Sequence, residues 1–418
     1  MSHSPNFEDT IKRAVTPGSE RLLAGVALAA AGRSRNDGVE NPPDYTAAYG
    51  TLQLDPSSPP VSVKTVMWLA SCNKLVTTIA ALQCIERGQF TLDDPTDVER
   101  LLPEWKDPEI LTGFTEDGKP ILQPAKEKMT LQQLLTHTSG VAYDFFHPLL
   151  IAWRQGRGEG PLTMRTPIVE GFTHPLIAEP GAAWMYGAGL DLVGLMVARA
   201  NTTTLEAYMR ENIFDVLGMD DTSFRPKERN NMVDRLMPIT TRLPSGELVD
   251  RVEPDAPLVV PVEPTDDFGG GGLFGTAEDF LEVLKSILHG DGKLLKSESI
   301  DLMFTPALSE AQQATLDGLL SILMAAAIMI PGEPVLGTPG AGEWTHGIGG
   351  LIGLHKEEGS FEPGWLKWGG APNLKWWIDR KGGTCGIFAT QLYPAGELKH
   401  AFLGKMFERE MVAHFSKK

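Results

Sequence analysis

The distribution of strand signals constrains this fold more than any other feature: they fall near the two ends of the chain, with a long helical stretch between them. Residues 25–32 and 45–49 read as two strands separated by a polar loop. Toward the other end, residues 373–379 and 384–390 flank Arg380-Lys381-Gly382-Gly383, a hairpin signature. Apolar periodicity predicts a helix over 7–14, a closing helix over about 400–415, and internal helices over 131–137, 190–200 and 204–217. The expectation is an α/β (α+β) fold: an antiparallel sheet built from both chain ends and flanked by helices, with an inserted, mostly helical subdomain. A length of 418 residues also allows two or three core-sized units. We expect a single domain over 1–418, with 1–90 plus 265–418 forming the sheet part and 91–264 the helical part.

Ser71-Cys72-Asn73-Lys74 heads the apolar run 75–85 and is the only Ser-x-x-Lys in the sequence. Residues three apart on a helix share a face, so the hydroxyl and the amine can enter one cavity. A serine becomes a useful nucleophile when a neighbouring base takes its proton, and a desolvated lysine suits that work. Free N–H groups at a helix start favour developing negative charge. A chain of this length holds about one or two such spacings by chance, and a helix cap followed by a solvated lysine has the same sequence.

Lys and Arg number 37 against 54 Asp and Glu, a formal net charge of −17. That argues against nucleic acid or an anionic membrane as partner, because both require a basic surface. Cys72, Cys84 and Cys385 are too few for a disulfide framework, and the polar N-terminal stretch lacks the basic-then-apolar pattern of a signal peptide. A reducing, cytoplasmic setting is expected. The apolar segment 319–330 is too short to span a bilayer, which takes about 20 apolar residues. It reads as a buried helix, the alternatives being a hydrophobic flap over an acyl-binding pocket and a docking surface for a partner.

Gly269-Gly270-Gly271-Gly272-Leu273-Phe274-Gly275 contains a formal G-x-G-x-x-G, but the proline-bearing stretch before it is no buried parallel strand. A glycine turn feeding a helix capped by Thr276, with Asp279 three residues on, is the plainer account, and no cofactor or metal is expected. G-x-S-x-G, H-E-x-x-H and clustered Cys and His are all absent from the sequence. His137, in Leu134-Leu135-Thr136-His137-Thr138-Ser139-Gly140, reads as a structural residue at a helix-to-loop turn.

Taken in order, Ser71-x-x-Lys74, the 134–140 segment, Pro180-Gly181-Ala182-Ala183-Trp184-Met185-Tyr186, the glycine run and Trp368-Gly369-Gly370-Ala371 resemble the serine β-lactamase/penicillin-binding-protein superfamily. Within it the chain is most similar to class C-like esterases and to the fungal lovastatin-pathway acyltransferase group, whose transesterases move a short acyl group onto a statin precursor's hydroxyl. The likeness runs through nearly the whole chain, including 75–84, 134–140 and 369–373. It implies a β-lactamase/transpeptidase-like fold, with Ser71 as acylated nucleophile, Lys74 as its partner base and Tyr186 as general base and acid. A cation beside a tyrosinate stabilises it, which is the physical basis for such a pair. The resemblance also implies an edge strand beside the serine, where the backbone N–H groups of Ser71 and Ala371 form the oxyanion hole.

Two departures restrict the substrate. Tyr186 is followed by Gly187-Ala188 where β-lactamases and peptidases read Tyr-x-Asn, and Trp368-Gly369-Gly370 stands where they read Lys-Thr-Gly. The amide and the cation that would hold a β-lactam are both missing, so effective β-lactam hydrolysis is not expected. Phe145, Phe146, Trp365, Trp368 and Gly370 are candidates for an apolar substrate pocket, and Trp376 and Trp377 cannot both face it, because neighbouring strand residues point opposite ways. The expected reaction is acyl transfer through Ser71 from a thioester or ester, with a carrier-protein thioester among the candidate donors, to a hydroxyl of a small hydrophobic metabolite of fungal secondary metabolism. Hydrolysis of small esters and a non-catalytic binding protein on the same fold are the alternatives. The residues name neither the acyl chain nor the acceptor.

Overall fold

Residues 25–32 are buried along their whole length, as a strand must be when both faces of its sheet are covered. In the computed structural model, which describes residues 6–34, 40–162, 164, 166–229, 231–250, 262–328, 342–356 and 361–416, side chains of 322–328 and 398 excepted, that strand lies one in from the edge of the main sheet, with a neighbour on either side. The main sheet comprises Gly25–Gly32 (β1), Tyr45–Gly50 (β2), Trp344–Gly347 (β3), Gly350–Gly353 (β4), Leu366–Gly370 (β5), Leu374–Asp379 (β6) and Thr384–Ala389 (β7). Its spatial order is β2-β1-β7-β6-β5-β4-β3, with every neighbouring pair antiparallel. The two ends of the chain meet where β1 pairs with β7, Ala27 opposite Ala389 and Gly32 opposite Thr384.

The helices used below are Phe7–Val15 (α1), Asn73–Glu86 (α2), Leu131–Leu135 (α3), Gly189–Ala200 (α4), Ala277–His289 (α5), Glu310–Ile328 (α6) and Leu398–Ser416 (α7). Alternation along the strands sorts the sheet residues between two apolar clusters. Val26, Leu28, Ala30, Trp377 and Phe388 pack with α1 and α7 through Phe7, Ile11, Leu403 and Phe407. Ala27, Ala29, Trp376, Ile378 and Ile387 join the larger cluster, which holds α2, α4 and α5. Asn73 through Cys84 are all buried, so α2 is a central helix enclosed on every side rather than an amphipathic surface helix. Between β2 and β3 the chain forms most of the helices, together with a hairpin of Glu109–Phe114 and Pro120–Pro124; Thr240–Arg242 of the same stretch joins a small sheet with Leu392–Tyr393, which follows β7.

Several expectations need revision. The strand carrying Trp368-Gly369-Gly370 is not an edge strand, because β4 and β3 lie beyond it. However, β4 pairs only with Leu366 and Lys367, so the Trp368–Gly370 end of β5 is free of a neighbour on that side. The helix expected over 204–217 contains a π turn at Arg210–Phe214 between Leu205–Met209 and Asp215–Leu217. The apolar segment 319–330 lies partly outside the described residues; Leu316 and Leu320 at the start of this stretch of α6 are buried beside Trp184 and Trp344.

The closing helix is tied to the sheet by buried charge. Glu408 of α7 is 1% exposed, accepts from Lys367 Nζ of β5 at 2.9 Å and lies 3.5 Å from Lys405 Nζ. Burial pushes its carboxyl up, but Lys367 and Lys405 outweigh that and hold it below the usual range. Removing one partner of a buried pair strands the other charge, at about 3 kcal/mol. Glu408→Ala is therefore expected to lower stability by about that amount in urea denaturation; a loss under about 1 kcal/mol would contradict this account.

Candidate active site

Backbone pairing fixes the chain just before Ser71. Met67–Trp68 pairs with Phe274–Gly275, and Trp68 Nε1 donates to the Gly271 carbonyl at 2.6 Å. Ala70 then takes a φ of +47°, a left-handed conformation that is costly for a residue with a Cβ. Ala70–Cys72 forms a single 3₁₀ turn, and α2 leaves from it. Ser71 thus sits on a tight turn at the head of the helix, partly exposed, while Lys74 is buried one turn on.

Lys74 Nζ has three acceptors for its three hydrogens: Ser71 Oγ at 3.2 Å, Tyr143 Oη at 3.2 Å and the Gly270 carbonyl at 2.5 Å. The glycine run supplies more than that one carbonyl. Gly269 O accepts from Thr77 Oγ1 at 2.7 Å, and the adjoining Phe268 O accepts from Asn73 Nδ2 at 2.9 Å. Only a residue without a side chain fits at Gly270, since a Cβ there would overlap both Asp191 Oδ2 of α4 and Tyr143 Oη. Downstream, Thr276 Oγ1 accepts from Asp279 N at 3.0 Å and caps α5, while the Asp279 carboxylate turns to Thr222 Oγ1 and Asp221 N.

Tyr143 and Asp191 were not legible as site residues. Tyr143 Oη donates to Asp191 Oδ2 at 3.1 Å, and Gly270 N donates to Asp191 Oδ1 at 2.8 Å. Burial pushes the Asp191 carboxyl up, against the pull of the Lys74 charge and these hydrogen bonds. Burial, then Asp191 and Tyr186, push the Tyr143 phenol well above its ordinary value. The available signal was a lone carboxylate in the apolar stretch Gly189-Leu190-Asp191-Leu192-Val193, because a charge buried there must have a partner.

Tyr186 also reaches Ser71: its Oη donates to Ser71 Oγ at 2.6 Å, and Lys74 Nζ lies 4.9 Å from its ring centroid. The His137 carbonyl accepts from Met185 N at 2.7 Å, which anchors the residue before Tyr186. His137 ends α3 with a φ of +60°, and its backbone performs the turn role read from the sequence. Its ring joins an aromatic cluster, 4.8 Å from the Tyr186 ring, 5.5 Å from His346 and 6.2 Å from Trp368 between centroids. Burial, then His346 and Lys74, drive His137 well below the ordinary imidazole range. Burial lowers His346 to about 3, with only the Gly347 backbone acting the other way.

Ser71, Lys74, Tyr186 and Trp368 are brought together. The end of β5 abuts the turn that carries Ser71: a Cβ at Gly370 would overlap the Leu69 carbonyl, and Ala371 packs in the cluster that contains Ala70. Phe145 stacks on Tyr143 at 4.8 Å, whereas Phe146 is 52% exposed. Trp365 does not join the site. Strand alternation turns it to the other face of β5, where it packs on Phe361 at 4.1 Å and Trp344 at 4.8 Å. Among the described residues no group of three or more His, Cys, Asp or Glu is placed to hold a metal, and no helix is long and apolar enough to cross a membrane. A serine held between a phenol and an ammonium, with a strand end beside it, is suited to form and discharge an ester.

The profile of the Beta-lactamase family matches residues 37–401. A lovastatin esterase of Penicillium rubens is 37% identical over 83% of this chain and 85% of that protein. A monacolin J acid methylbutanoyltransferase of Aspergillus terreus is 36% identical over 89% of each. Among solved structures, unliganded simvastatin synthase from Aspergillus terreus superposes with a TM-score of 0.81 at 33% identity, over 99% of this chain and 98% of that one.

Two outcomes follow from the buried groups. Asp191→Asn removes the countercharge in the Lys74–Tyr143 chain and is expected to destabilise the fold by about 2–3 kcal/mol in chemical denaturation; an unchanged midpoint would contradict the pairing. His346 is neutral when folded but titrates near 6.5 when unfolded, so its contribution is complete above pH 6.5 and is lost as pH falls toward 3. His346→Gln should therefore flatten the acid loss of stability in that window, by up to about 1.4 kcal/mol per pH unit. Parallel wild-type and variant curves would refute it.

Proposed function

The chain belongs to the Beta-lactamase family, and from that premise we propose that it is a serine acyltransferase that moves an acyl group from a thioester or ester, through a Ser71 ester, to the hydroxyl of a small hydrophobic metabolite. The observation that carries the reading is the position of Ser71 Oγ, 2.6 Å from Tyr186 Oη and 3.2 Å from Lys74 Nζ. In the tyrosinate–ammonium form of that pair, Tyr186 takes the serine proton as Oγ attacks the donor carbonyl. It then gives the proton to the departing thiol or alcohol. The backbone N–H groups of Ser71 and Ala371 bind the carbonyl oxygen as it becomes negative. In the second half-reaction an acceptor hydroxyl attacks the acyl carbonyl, Tyr186 takes its proton, and the proton returns to Ser71 Oγ.

The substrate class is supported by what surrounds the serine. Ala188 is fully buried where an amide would face a peptide-like substrate, and Gly187 has no room for a side chain against Val141. Trp368 occupies the position of a carboxylate-binding lysine, so an apolar ligand fits better than a β-lactam. The transferase relative acts, by its name, on monacolin J acid, and we extend a small polyketide-like acceptor to this chain on that basis. A carrier-protein or coenzyme A thioester is the proposed donor. Three unpaired, buried cysteines support a reducing, cytoplasmic setting.

The esterase relative favours a second reading, in which water takes the acceptor's place. The two reactions share the acyl-enzyme and differ in how well the site positions an alcohol and excludes water. Incubation with a butanoyl thioester and a panel of hydrophobic alcohols, with ester and acid products quantified, separates them. Ester is expected to dominate with a matching alcohol; acid alone with every alcohol would favour hydrolysis. Tyr186→Phe and Lys74→Ala are each expected to lower turnover at least about 100-fold with the fold intact, and near-normal rates in either would overturn the mechanism.

A further inference from the structure

The aromatic cluster beside Tyr186 borders a small pocket between α2 and the β3–β6 side of the sheet. Leu75, Leu135, Leu190 and Ile348 form much of its wall, and Lys74 and Trp368 stand on the side nearest the nucleophile. Three polar atoms on residues lining it have no partner: His137 Nδ1, His346 Nδ1 and Trp376 Nε1. Their side chains are all but fully buried. Buried polar groups in folded proteins nearly always have a hydrogen-bond partner, so three unpaired ones on residues around a single pocket call for a ligand group.

The chemistry of that group is narrowly defined. Burial keeps both imidazoles neutral, so each ring offers one donor and one acceptor, and the tryptophan offers a donor only. A hydroxyl can accept from the indole and both give to and receive from an imidazole. A methyl group can do neither. A carboxylate cannot donate, and the three hydrogens of the nearby Lys74 ammonium are already engaged. The free space, about 10 Å³, has room for one water-sized group, which a chain-terminal hydroxyl matches and a bulky acceptor does not.

We propose that this pocket is a hydroxyl-recognising subsite for the acyl chain carried on Ser71, so that the enzyme selects short acyl groups bearing a hydroxyl over the same chains without one. The proposal rests on the acyl-enzyme reading above. A water molecule offers the same hydroxyl chemistry, and the two sources differ in what the donor's hydroxyl does to the rate.

Acylation of Ser71 is measured by intact mass with S-(3-hydroxybutanoyl)- and S-butanoyl-N-acetylcysteamine, for wild type, His346→Phe and His346→Gln. Wild type is expected to favour the hydroxylated donor by at least about tenfold. His346→Phe should abolish the preference, and His346→Gln, which keeps a donor and an acceptor, should retain part of it. Equal rates for both donors in wild type, with Ser71 acylated by each, would overturn the subsite and leave the pocket to water alone. That arm does not depend on any variant folding. No acylation by these or any other short donor would instead bring down the acyl-enzyme reading, and this inference with it.

Discussion

Lys74 Nζ joins three segments that are distant in the chain: its own helix through Ser71, the 143 loop through Tyr143, and the glycine run through Gly270. A buried ammonium must have its hydrogens satisfied and its charge answered, and these partners meet both needs, with Asp191 supplying the charge through Tyr143. The remaining features follow from that requirement. The run carries no side chain at Gly270 because a Cβ there would overlap Asp191 and Tyr143, two members of this same hydrogen-bond chain, and the helix that carries Lys74 is enclosed from Asn73 through Cys84. Three non-glycine residues with left-handed backbones, Ala70, His137 and Asn373, lie in the turns that bring Ser71, Tyr186 and the end of β5 together. Strained turns of this kind persist where the surrounding structure over-determines them.

This arrangement separates acylation from the choice of acceptor. In the proposed reaction the Ser71–Lys74–Tyr186 group is indifferent to whether the attacking oxygen belongs to water or an alcohol, so the outcome rests on the walls of the site. Here those walls are aromatic and apolar around a small number of neutral polar groups, including two histidines that burial keeps uncharged. Such an environment strengthens hydrogen bonds to a bound ligand and penalises a mismatch.

Much of the architecture could be read from the residues, because β1, β2 and the β6–β7 hairpin carry strong local signals and lie close to their expected bounds. Strands β3 and β4 escaped notice: each is four residues long, and His346-Gly347-Ile348-Gly349-Gly350 between them has no clear alternation. Ser71, Lys74 and Tyr186 stood out through spacing and motif order. Tyr143 and Asp191 did not, since their importance comes from a hydrogen-bond chain across 48 residues of sequence that no local pattern records. Trp365 misled because aromatic content near a motif says nothing of face, and strand alternation sent it to the opposite side of the sheet. His137 was legible as a turn residue, but its ring's place beside His346 depends on tertiary packing alone.

The central claim, that Ser71 carries the acyl group, is tested most directly by brief exposure to an acyl thioester, acid quench, digestion and peptide mapping by tandem mass spectrometry. The account predicts that the acyl mass lies on Ser71, and that it disappears when a hydrophobic alcohol is added before the quench. An acyl group mapped to another residue, or turnover that persists undiminished in Ser71→Ala, would contradict it.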